Sequence, residues 1–551
     1  PVGDLARTLH RRTGGHPLFV VHIADELARR RMLAERGGAP EMAARAGLVD
    51  VAIPDDVRRV IERQLDRLAP AERRLLESAS AVGVEFSAAA AAAGAGVAVA
   101  DAEAGCAALA RRQSFLVPRG ADDWPDGTVA GRYGFRHALH REVVYAGVPP
   151  AGRVELHRRI GERLEAALGG APGDVATELA MHFERGRDVD RAIRYLHLAA
   201  ESATRRGAAR EAVTHVTRAL DLLEALPDRA GRAAQELALQ IALGGPLMAI
   251  RGRGSAEVAR AYARAQELCQ QVGDAPHLFP ALWGLFLFRR SRGEIDAALA
   301  LGRRLLALAE RSEDAGLLLQ AHHALWATRF AQGDLAATRE HTARGIALYD
   351  ADRHASLAAL YGNHDAGVCA HSHRAWALAL LGEPEAAVRH TREAIVLARA
   401  VGHRYSEAHA LLYAARVHQL RGEARTVREY ADTAGALARE AGFVQLVAWA
   451  DAMRGWALAE AGELDAGIAE LEAGIAALGA LGSREFLTYF LGLLAGSLAR
   501  AGRGERALAV ATEALALVEA SGERFFAAEL HRVRGAVDIA RGQGPAPRTT
   551  P

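Results

Sequence analysis

Glycine recurs at a fixed period over the second half of this 551-residue chain, and this repeat limits its fold more than any other feature. In one series an acidic residue follows the glycine: Gly293, Gly333, Gly382, Gly422 and Gly462, continued by Gly502. Its members lie 40 residues apart, except that Gly333 and Gly382 are 49 apart. A second 40-residue series comprises Gly402, Gly442, Gly482 and Gly522. Such a period predicts an array of structural repeats.

The two glycine series divide each repeat into two helices. One repeat has apolar residues at helical spacing over residues 404–420 and again over 423–440, and a glycine ends each stretch. Glycine suits these positions because a helix C-terminus commonly needs a left-handed residue. Small residues at equivalent places allow the paired helices to approach closely (Ala386, Ala387, Ala466 and Gly467). We expect Trp376 and Trp456, six residues before a turn glycine, to be inter-helix core rather than a ligand groove.

Residues 53–170 have a different pattern from the repeats. Three helical stretches precede two strand-like runs, Ser114–Pro118 and Arg132–Arg136, as in a winged helix. The predicted fold is therefore all-α: an α-solenoid of TPR-like helix pairs, right-handed, preceded by a small winged-helix domain with a short β-hairpin. Pro227 and Pro246 are expected to mark joints between helices. We do not expect direct DNA binding, because the loop between the strands carries Asp122, Asp123 and Asp126.

Composition excludes several classes of function. The 68 basic and 67 acidic residues nearly cancel, and every basic residue is arginine. Without lysine, neither a P-loop nor a Schiff-base enzyme is possible. The three cysteines are far apart, which fits a reducing compartment. With no signal peptide and no apolar run of membrane-spanning length, we expect a cytoplasmic protein that does not enter a membrane. Because the chain begins with Pro1, we expect it to be a fragment.

One stretch is rich in potential metal ligands: His364, Cys369, His371 and His373, with His322 and His323 one repeat earlier. Zinc binds these residue types. The ligands fall where a helix begins, and successive ones are expected to face different ways. We therefore predict a polar inter-repeat segment and no metal site, with a metal site that also involves His322 and His323 as the minor alternative. No catalytic motif is found either, and no catalytic residue is predicted.

Several segments resemble bacterial STAND-type signalling ATPases, which include MalT-like regulators and ATPases fused to adenylate cyclase or winged-helix domains. Residues 12–20 (RTGGHPLFV) resemble the end of their ATPase module, although His16 replaces the common asparagine. Residues 53–68 and 133–145 resemble the two ends of their winged-helix domain. Residues 361–369 and 528–535 resemble parts of their repeat array.

The resemblance implies a non-catalytic regulatory segment of an ATP-dependent switch, whose parent is the ATPase. ATP or ADP binds an upstream P-loop module, with Gly15 and Pro17 near the adenine and His137 near the β-phosphate. The residues themselves equally allow Gly15–Pro17 to be a helix-breaking turn and His137 a core histidine. For this segment alone no cofactor is expected.

The implied domains are residues 1–52 (end of the ATPase module), 53–170 (winged helix), 171–250 (irregular TPR-like helices), 251–541 (repeat superhelix) and 542–551 (disordered tail). The repeats would bind a protein or small-molecule ligand on their concave face and communicate with the protein's own ATPase module. The alternative is a free-standing TPR-type interaction scaffold with no link to nucleotide.

Overall fold

The computed structural model describes residues 33–36, 39–42, 55–112, 115–168, 173, 175–227, 231–272 and 275–540. The chain divides into two compact units, residues 1–199 and 200–551. Gly15 and Pro17 lie outside the described residues. The domain boundaries predicted from the sequence stay predictions.

The first unit contains the predicted winged helix. Its described elements are β1 (Leu33–Arg36), β2 (Ala39–Met42), α1 (Asp55–Leu65), α2 (Pro70–Val82), β3 (Glu85–Ser87), α3 (Ala88–Ala95), α4 (Val99–Arg111), β4 (Leu116–Asp123), β5 (Val129–Phe135), α5 (Ala138–Gly147), α6 (Pro150–Leu168) and α7 (Ala176–Arg185). The next helix, α8 (Val189–Arg205), begins in this unit and ends in the second. β1 and β2 form an antiparallel hairpin of their own. The second sheet has the order β3-β5-β4 and is antiparallel. The expected hairpin is thus confirmed, and β3 adds a third strand to it.

The wing loop is held against its own domain by one arginine. Arg163 on α6 donates to Asp126 at 2.6 Å and to Thr128 Oγ1 at 2.8 Å. Its guanidinium also stacks over the Trp124 ring, 4.6 Å from the centroid. The hydrogen bond from Arg163 lowers the pKa of Asp126 to about 2. Asp126 in the wing loop is therefore already paired within its own domain. The expectation that this domain does not bind DNA stays a prediction.

The second unit consists of paired helices, as the glycine period predicts. They are α9 (Ala209–Glu224), α10 (Arg232–Arg251), α11 (Ala256–Val272), α12 (Ala275–Ser291), α13 (Ile295–Ser312), α14 (Ala315–Ala331), α15 (Leu335–Leu348), α16 (Ala351–His354), α17 (Ala366–Leu380), α18 (Pro384–Val401), α19 (Arg404–Leu420), α20 (Ala424–Ala441), α21 (Val444–Glu460), α22 (Leu464–Ala480), α23 (Leu487–Arg500), α24 (Gly504–Ser521) and α25 (Ala527–Ala540). Gly402 and Gly442 end α18 and α20 with φ of 71° and 75°, the left-handed conformation that the sequence analysis assigned to them.

The irregular 49-residue step has a structural explanation. The additional residues form the short helix α16 and a 3₁₀ turn over Ala355–Ala359, between α15 and α17. They lead into Gly362, which has a φ of 76°. Gly362 packs closely on Trp283, since a Cβ at this position would be 2.8 Å from the ring. This insertion carries the following residue pair, Asn363 and His364, into the interior of the unit.

Helices alternate between an inner and an outer layer. Inner helices such as α19 are buried along most of their length, whereas outer helices such as α20 bury a single stripe. Neighbours in the stack cannot by themselves cover an inner helix on every side. The remaining cover comes from the next turn of the superhelix: Arg484 N–H donates to Ser291 O at 2.6 Å, and Arg524 N–H donates to Ala331 O at 2.7 Å.

Residues in contact across this turn are about 190 to 230 positions apart in the chain. The hydroxyls of Ser291 and Ser483, 192 residues apart, lie 3.2 Å from each other. Gly254 sits directly against Gly482, where a Cβ on Gly254 would be 2.4 Å from the Gly482 carbonyl oxygen. The repeat unit is therefore a tightly wound superhelix whose axis is filled by its own side chains.

The joint expected at Pro246 is wrong, because Pro246 lies inside the 20-residue helix α10. The two glycines before it, Gly244 and Gly245, leave room at the preceding turn, and Tyr262 packs against Gly244. Tertiary packing thus overrides the local helix-breaking preference.

Among the described helices α10 also meets the length and hydropathy criteria for a membrane span, as does the bent pair α3 and α4. Half of the apolar stretch of α10 is buried within the protein.

Close approach of α21 and α22 gives a first testable prediction. A Cβ on Gly455 would lie 2.6 Å from Leu471 N and 2.8 Å from Gly467 O. Both are backbone atoms and cannot swing away. We expect Gly455→Ala to lower the free energy of unfolding by about 1–3 kcal/mol, the usual cost of overpacking.

The matched control is Gly496→Ala on α23, where nothing lies within 4 Å of the added methyl group. That change is expected to stabilise by about 0.5–1 kcal/mol, because alanine is the better helix former. Thermal denaturation of both variants measures the difference. Equal effects at the two positions would contradict the close helix crossing.

Candidate functional site

Three arginines occupy the axis of the repeat unit. Arg253 follows α10, Arg290 lies in the last turn of α12, and Arg416 lies in the last turns of α19. All three side chains are buried. Burial of a guanidinium costs several kcal/mol unless an acidic partner and hydrogen bonds compensate it.

Glu485, in the turn before α23, is the carboxylate that pairs with two of these arginines. It accepts a hydrogen bond from Arg290 and lies 3.6 Å from Arg253 Nη1. Gln445 Nε2 donates to its other oxygen at 3.0 Å. Burial opposes ionisation of Glu485, but the two guanidinium groups outweigh it and hold the pKa of this carboxyl below its ordinary value. These contacts also join α10 and α12 to the helices one superhelical turn later.

Arg416 is held differently, by aromatic rings. Its guanidinium carbon lies 4.6 Å from the ring centroids of Tyr413, Trp449 and Phe486, and 5.1 Å from Trp376. None of its three nitrogens has a hydrogen-bond acceptor among the described residues. Desolvation lowers the pKa of Arg416. Cation–π contacts offset part of the burial cost, but they leave all five N–H donors of the side chain unused.

Other buried residues near Arg416 also have N–H groups without an acceptor among the described residues. Within the described part of the chain, buried donors that lack an acceptor in the same core are Arg253 Nε, Arg290 Nη2, Trp376 Nε1 and Trp449 Nε1. Buried polar groups are nearly always paired, so these donors need acceptors that the described residues do not supply. The three guanidinium groups also outnumber the two buried carboxylates near them, Glu485 and Glu523, which leaves a net positive charge.

A histidine cluster lies beside the arginines. It contains His323 on α14, His364 in the inserted segment, Cys369 and His373 on α17, and His409 on α19, all buried. Cys369 and His373 are four residues apart and share one face of α17. Cys369 Sγ lies 3.1 Å from His323 Nε2 and 3.3 Å from His373 Nδ1. The expectation that these ligand-type residues face different ways is therefore wrong for His364, Cys369 and His373, whereas His371 lies elsewhere with His390 and Glu393.

Burial keeps this cluster uncharged. Desolvation lowers the pKa of His364 to about 3, with Arg253 as the second cause, and it lowers the pKa of His323, His373 and His409 well below the ordinary value. Burial also raises the pKa of the Cys369 thiol to about 12. At neutral pH the cluster is thus a set of neutral imidazoles and a thiol.

The structure also gives the positions of the two tryptophans and the histidine that the sequence analysis named. Trp376 and Trp456 are buried, as predicted for inter-helix core, but Trp456 also lines an open groove. His137 is the N-cap residue of α5, half-buried, with its ring 5.2 Å from that of His140. Its predicted role near a phosphate stays a prediction, as do the roles of Gly15 and Pro17.

Sequence reasoning missed the three arginines. One local signal was available for Arg416, which stands in the otherwise apolar and small run Leu411–Val417. No such signal marks Arg253 or Glu485, because their partners lie about one superhelical turn away.

A groove on the inner helices lies at the C-terminal end of the unit. Its volume is about 410 Å³, and α19, α21, α23 and α25 form its walls. Trp456 and Phe526 contribute apolar surface, and Glu460, Arg500 and Arg532 contribute charge. The groove is open to solvent.

Comparison with known proteins gives little further guidance. No family model matches the chain. The uncharacterized protein R02095 of Rhizobium meliloti (strain 1021) is 28% identical over 552 residues, an alignment that covers 98% of this chain and 51% of that protein. The chain therefore spans about half the length of this curated relative.

The similarity to solved structures is weak. A Rap protein complexed with competence and sporulation factor matches with a TM-score of 0.42 and 13% identity, over 64% of this chain and 99% of that chain. A STAND protein with a tetratricopeptide repeat sensor from Pyrococcus horikoshii matches with a TM-score of 0.35 and 14% identity, over 97% of this chain and 66% of that one. These scores are too low to indicate function. The chain's own helix pairs establish the TPR-like fold.

Proposed function

We propose that this chain is the ligand-sensing, non-catalytic segment of an ATP-dependent signalling protein, and that the ligand of its repeat unit is an anion. The observation that supports this most strongly is Arg416, a buried guanidinium with no acceptor among the described residues. A carboxylate or phosphate group is its natural partner, since the planar fork of N–H donors matches two oxygens at once. Arg253, Arg290 and the two tryptophan N–H groups supply further donors.

Ligand entry would couple to the winding of the superhelix. The core is closed by contacts across one turn, such as Arg484 N–H to Ser291 O. An anion reaches Arg416 only when these contacts loosen, and once bound it neutralises charge that otherwise opposes closure. Ligand binding would therefore shift the repeat unit toward its tightly wound state. That change of shape is the signal that a regulatory segment transmits.

The link to ATP is a separate part of the proposal. It is supported by the segments that resemble STAND-type ATPases, including residues 12–20 and 133–145. ATP or ADP would bind a P-loop module of the parent protein, with Gly15, Pro17 and His137 as contributors from this segment. The parent would act in the cytoplasm, as a transcription regulator or an adenylate cyclase.

A thermal-shift panel tests the sensing role. The probes are inorganic phosphate, pyrophosphate, citrate and a pool of pentapeptides with free C-terminal carboxylates, with the same pool amidated as the control. We expect at least one anion to raise the melting temperature of the wild-type chain, because a ligand that binds only the folded state stabilises it. The shift should be absent with the amidated pool and in Arg416→Met. No shift with any anion, or an equal shift in Arg416→Met, would contradict the proposal.

The open groove supports a second candidate, a protein-interaction scaffold. Its mixture of aromatic and charged walls is typical of surfaces that bind an extended peptide. The two functions differ in the residues that they need: substitution of Arg532, on the rim of the groove, would weaken a scaffold interaction and leave anion binding unchanged.

A further inference from the structure

We infer that His323, His364 and Cys369 form a binding site for a transition-metal ion of the Zn²⁺ class. The three side chains come from α14, from the inserted segment and from α17, so an ion would join three parts of the repeat unit. This inference does not depend on the proposed anion ligand, because it rests on different side chains.

The three donor atoms are already gathered. His323 Nε2 lies 3.1 Å from His364 Nε2 and 3.1 Å from Cys369 Sγ, and one ligand atom from each residue lies within 4.8 Å of the other two. In a tetrahedral zinc site the bond lengths place two nitrogens about 3.3 Å apart and a nitrogen and a sulfur about 3.5 Å apart. The observed spacings differ from these by a few tenths of an ångström, within reach of small side-chain movements.

Hydrogen bonds orient both imidazoles so that their Nε2 lone pairs meet. His364 Nδ1 lies 2.9 Å from the carbonyl oxygen of Gly362, and His323 Nδ1 lies 3.2 Å from Gln320 Oε1. An oxygen acceptor at each Nδ1 places the proton there and leaves Nε2 as the lone pair. Arg253 Nη2 is also 3.3 Å from His364 Nδ1, but the carbonyl oxygen is closer and retains the proton. Metal-binding histidines characteristically have this arrangement.

With both protons on Nδ1, the two Nε2 lone pairs face each other at 3.1 Å, and a shared electrophile satisfies both. The S–H of Cys369 can donate to His323 Nε2, but it satisfies only one of the two imidazoles. A metal ion satisfies His323, His364 and a deprotonated Cys369 together, since zinc binds neutral imidazole and thiolate.

The surroundings fit a thiolate. His373 Nδ1 lies 3.3 Å from Cys369 Sγ, and Tyr413 lies 3.1 Å from the other ring nitrogen of His373. Donation from the tyrosine hydroxyl keeps the His373 proton on Nδ1, where it is shared between the Cys369 carbonyl oxygen at 3.1 Å and the sulfur at 3.3 Å. The thiolate cancels one of the two charges of the ion. Arg253 Nη1 lies 3.6 Å from Glu485, a carboxylate that it shares with Arg290.

Cobalt substitution tests the site in the full chain. The purified protein is stripped with a chelator and titrated with Co²⁺, and absorption is recorded through the near-ultraviolet and visible ranges. We expect one Co²⁺ per chain with a thiolate-to-cobalt charge-transfer band. The band should be absent in Cys369→Ser. In His364→Gln the affinity for Co²⁺ should fall by at least tenfold.

Two controls separate this site from other residues. Cys269→Ser removes another buried cysteine, and His371→Gln removes the half-buried group formed with His390 and Glu393. Both variants should keep the band. Circular dichroism verifies that each variant is folded. Absence of a thiolate band in the wild-type chain, or a band that survives in Cys369→Ser, would overturn the inference, and the wild-type titration decides it even if a variant fails to fold.

Discussion

Replacement of Glu485 by glutamine is expected to lower the free energy of unfolding of the repeat unit by about 3–5 kcal/mol, the cost of breaking a buried ion pair from one side. Glutamine has nearly the same shape as glutamate and can still hydrogen-bond to Gln445. The loss of stability in this variant therefore measures the removal of the negative charge and not a change in side-chain volume. Arg290 and Arg253 would remain buried without an anionic partner. Urea denaturation followed by tryptophan fluorescence measures the change in this unit, which contains every tryptophan except Trp124.

The matched control is Glu383→Gln. Glu383 pairs with Arg339 on the surface, where both side chains are about half exposed. Such pairs contribute at most about 1 kcal/mol. Similar losses in the two variants would show that Glu485 does not carry a special electrostatic role in the core.

Replacement of Arg416 by methionine is expected to have the opposite sign. The variant should be as stable as the wild type or more stable, by up to about 4 kcal/mol, because a buried charge without a partner is exchanged for an apolar side chain of similar length. Methionine also packs well against aromatic rings, so the cage of Trp376, Tyr413, Trp449 and Phe486 stays filled.

Arg290→Met is the control for Arg416→Met, since Arg290 is also buried but carries the ion pair with Glu485. We expect Arg290→Met to be destabilising. A loss of more than about 1 kcal/mol in Arg416→Met would mean that Arg416 is a structural residue. A gain would mean that the chain retains Arg416 at a cost to stability, as is common for residues that serve a ligand.

The sequence was sufficient to predict the helix pairs and their ends. Gly402, Gly442 and Gly522 end helices in the left-handed conformation, because the chain must reverse where only glycine adopts that conformation without strain. The winged-helix hairpin followed from β-branched and aromatic residues around a turn. Local rules of this kind operate over a few residues, which is why they could be read without a structure.

The core site could not be predicted in the same way. The contact between Arg290 and Glu485 depends on how far the superhelix rotates per repeat, and no local pattern specifies that rotation. The 49-residue step was visible in the sequence, but its consequence, the placement of His364 beside His323, depends on how the inserted segment packs on Trp283. Pro246 shows the same limit, since packing of Tyr262 against Gly244 sets the local structure.

The most direct test of the proposed sensing role is a calorimetric titration of the full chain with the anion that gives the largest thermal shift in the panel. Wild type, Arg416→Met and Arg425→Met are compared, because Arg425 lies on the surface with its side chain 94% exposed. We predict one binding site per chain, retained in Arg425→Met and lost in Arg416→Met although that variant is fully folded. Equal binding by wild type and Arg416→Met, or no binding by the wild type, would contradict the account.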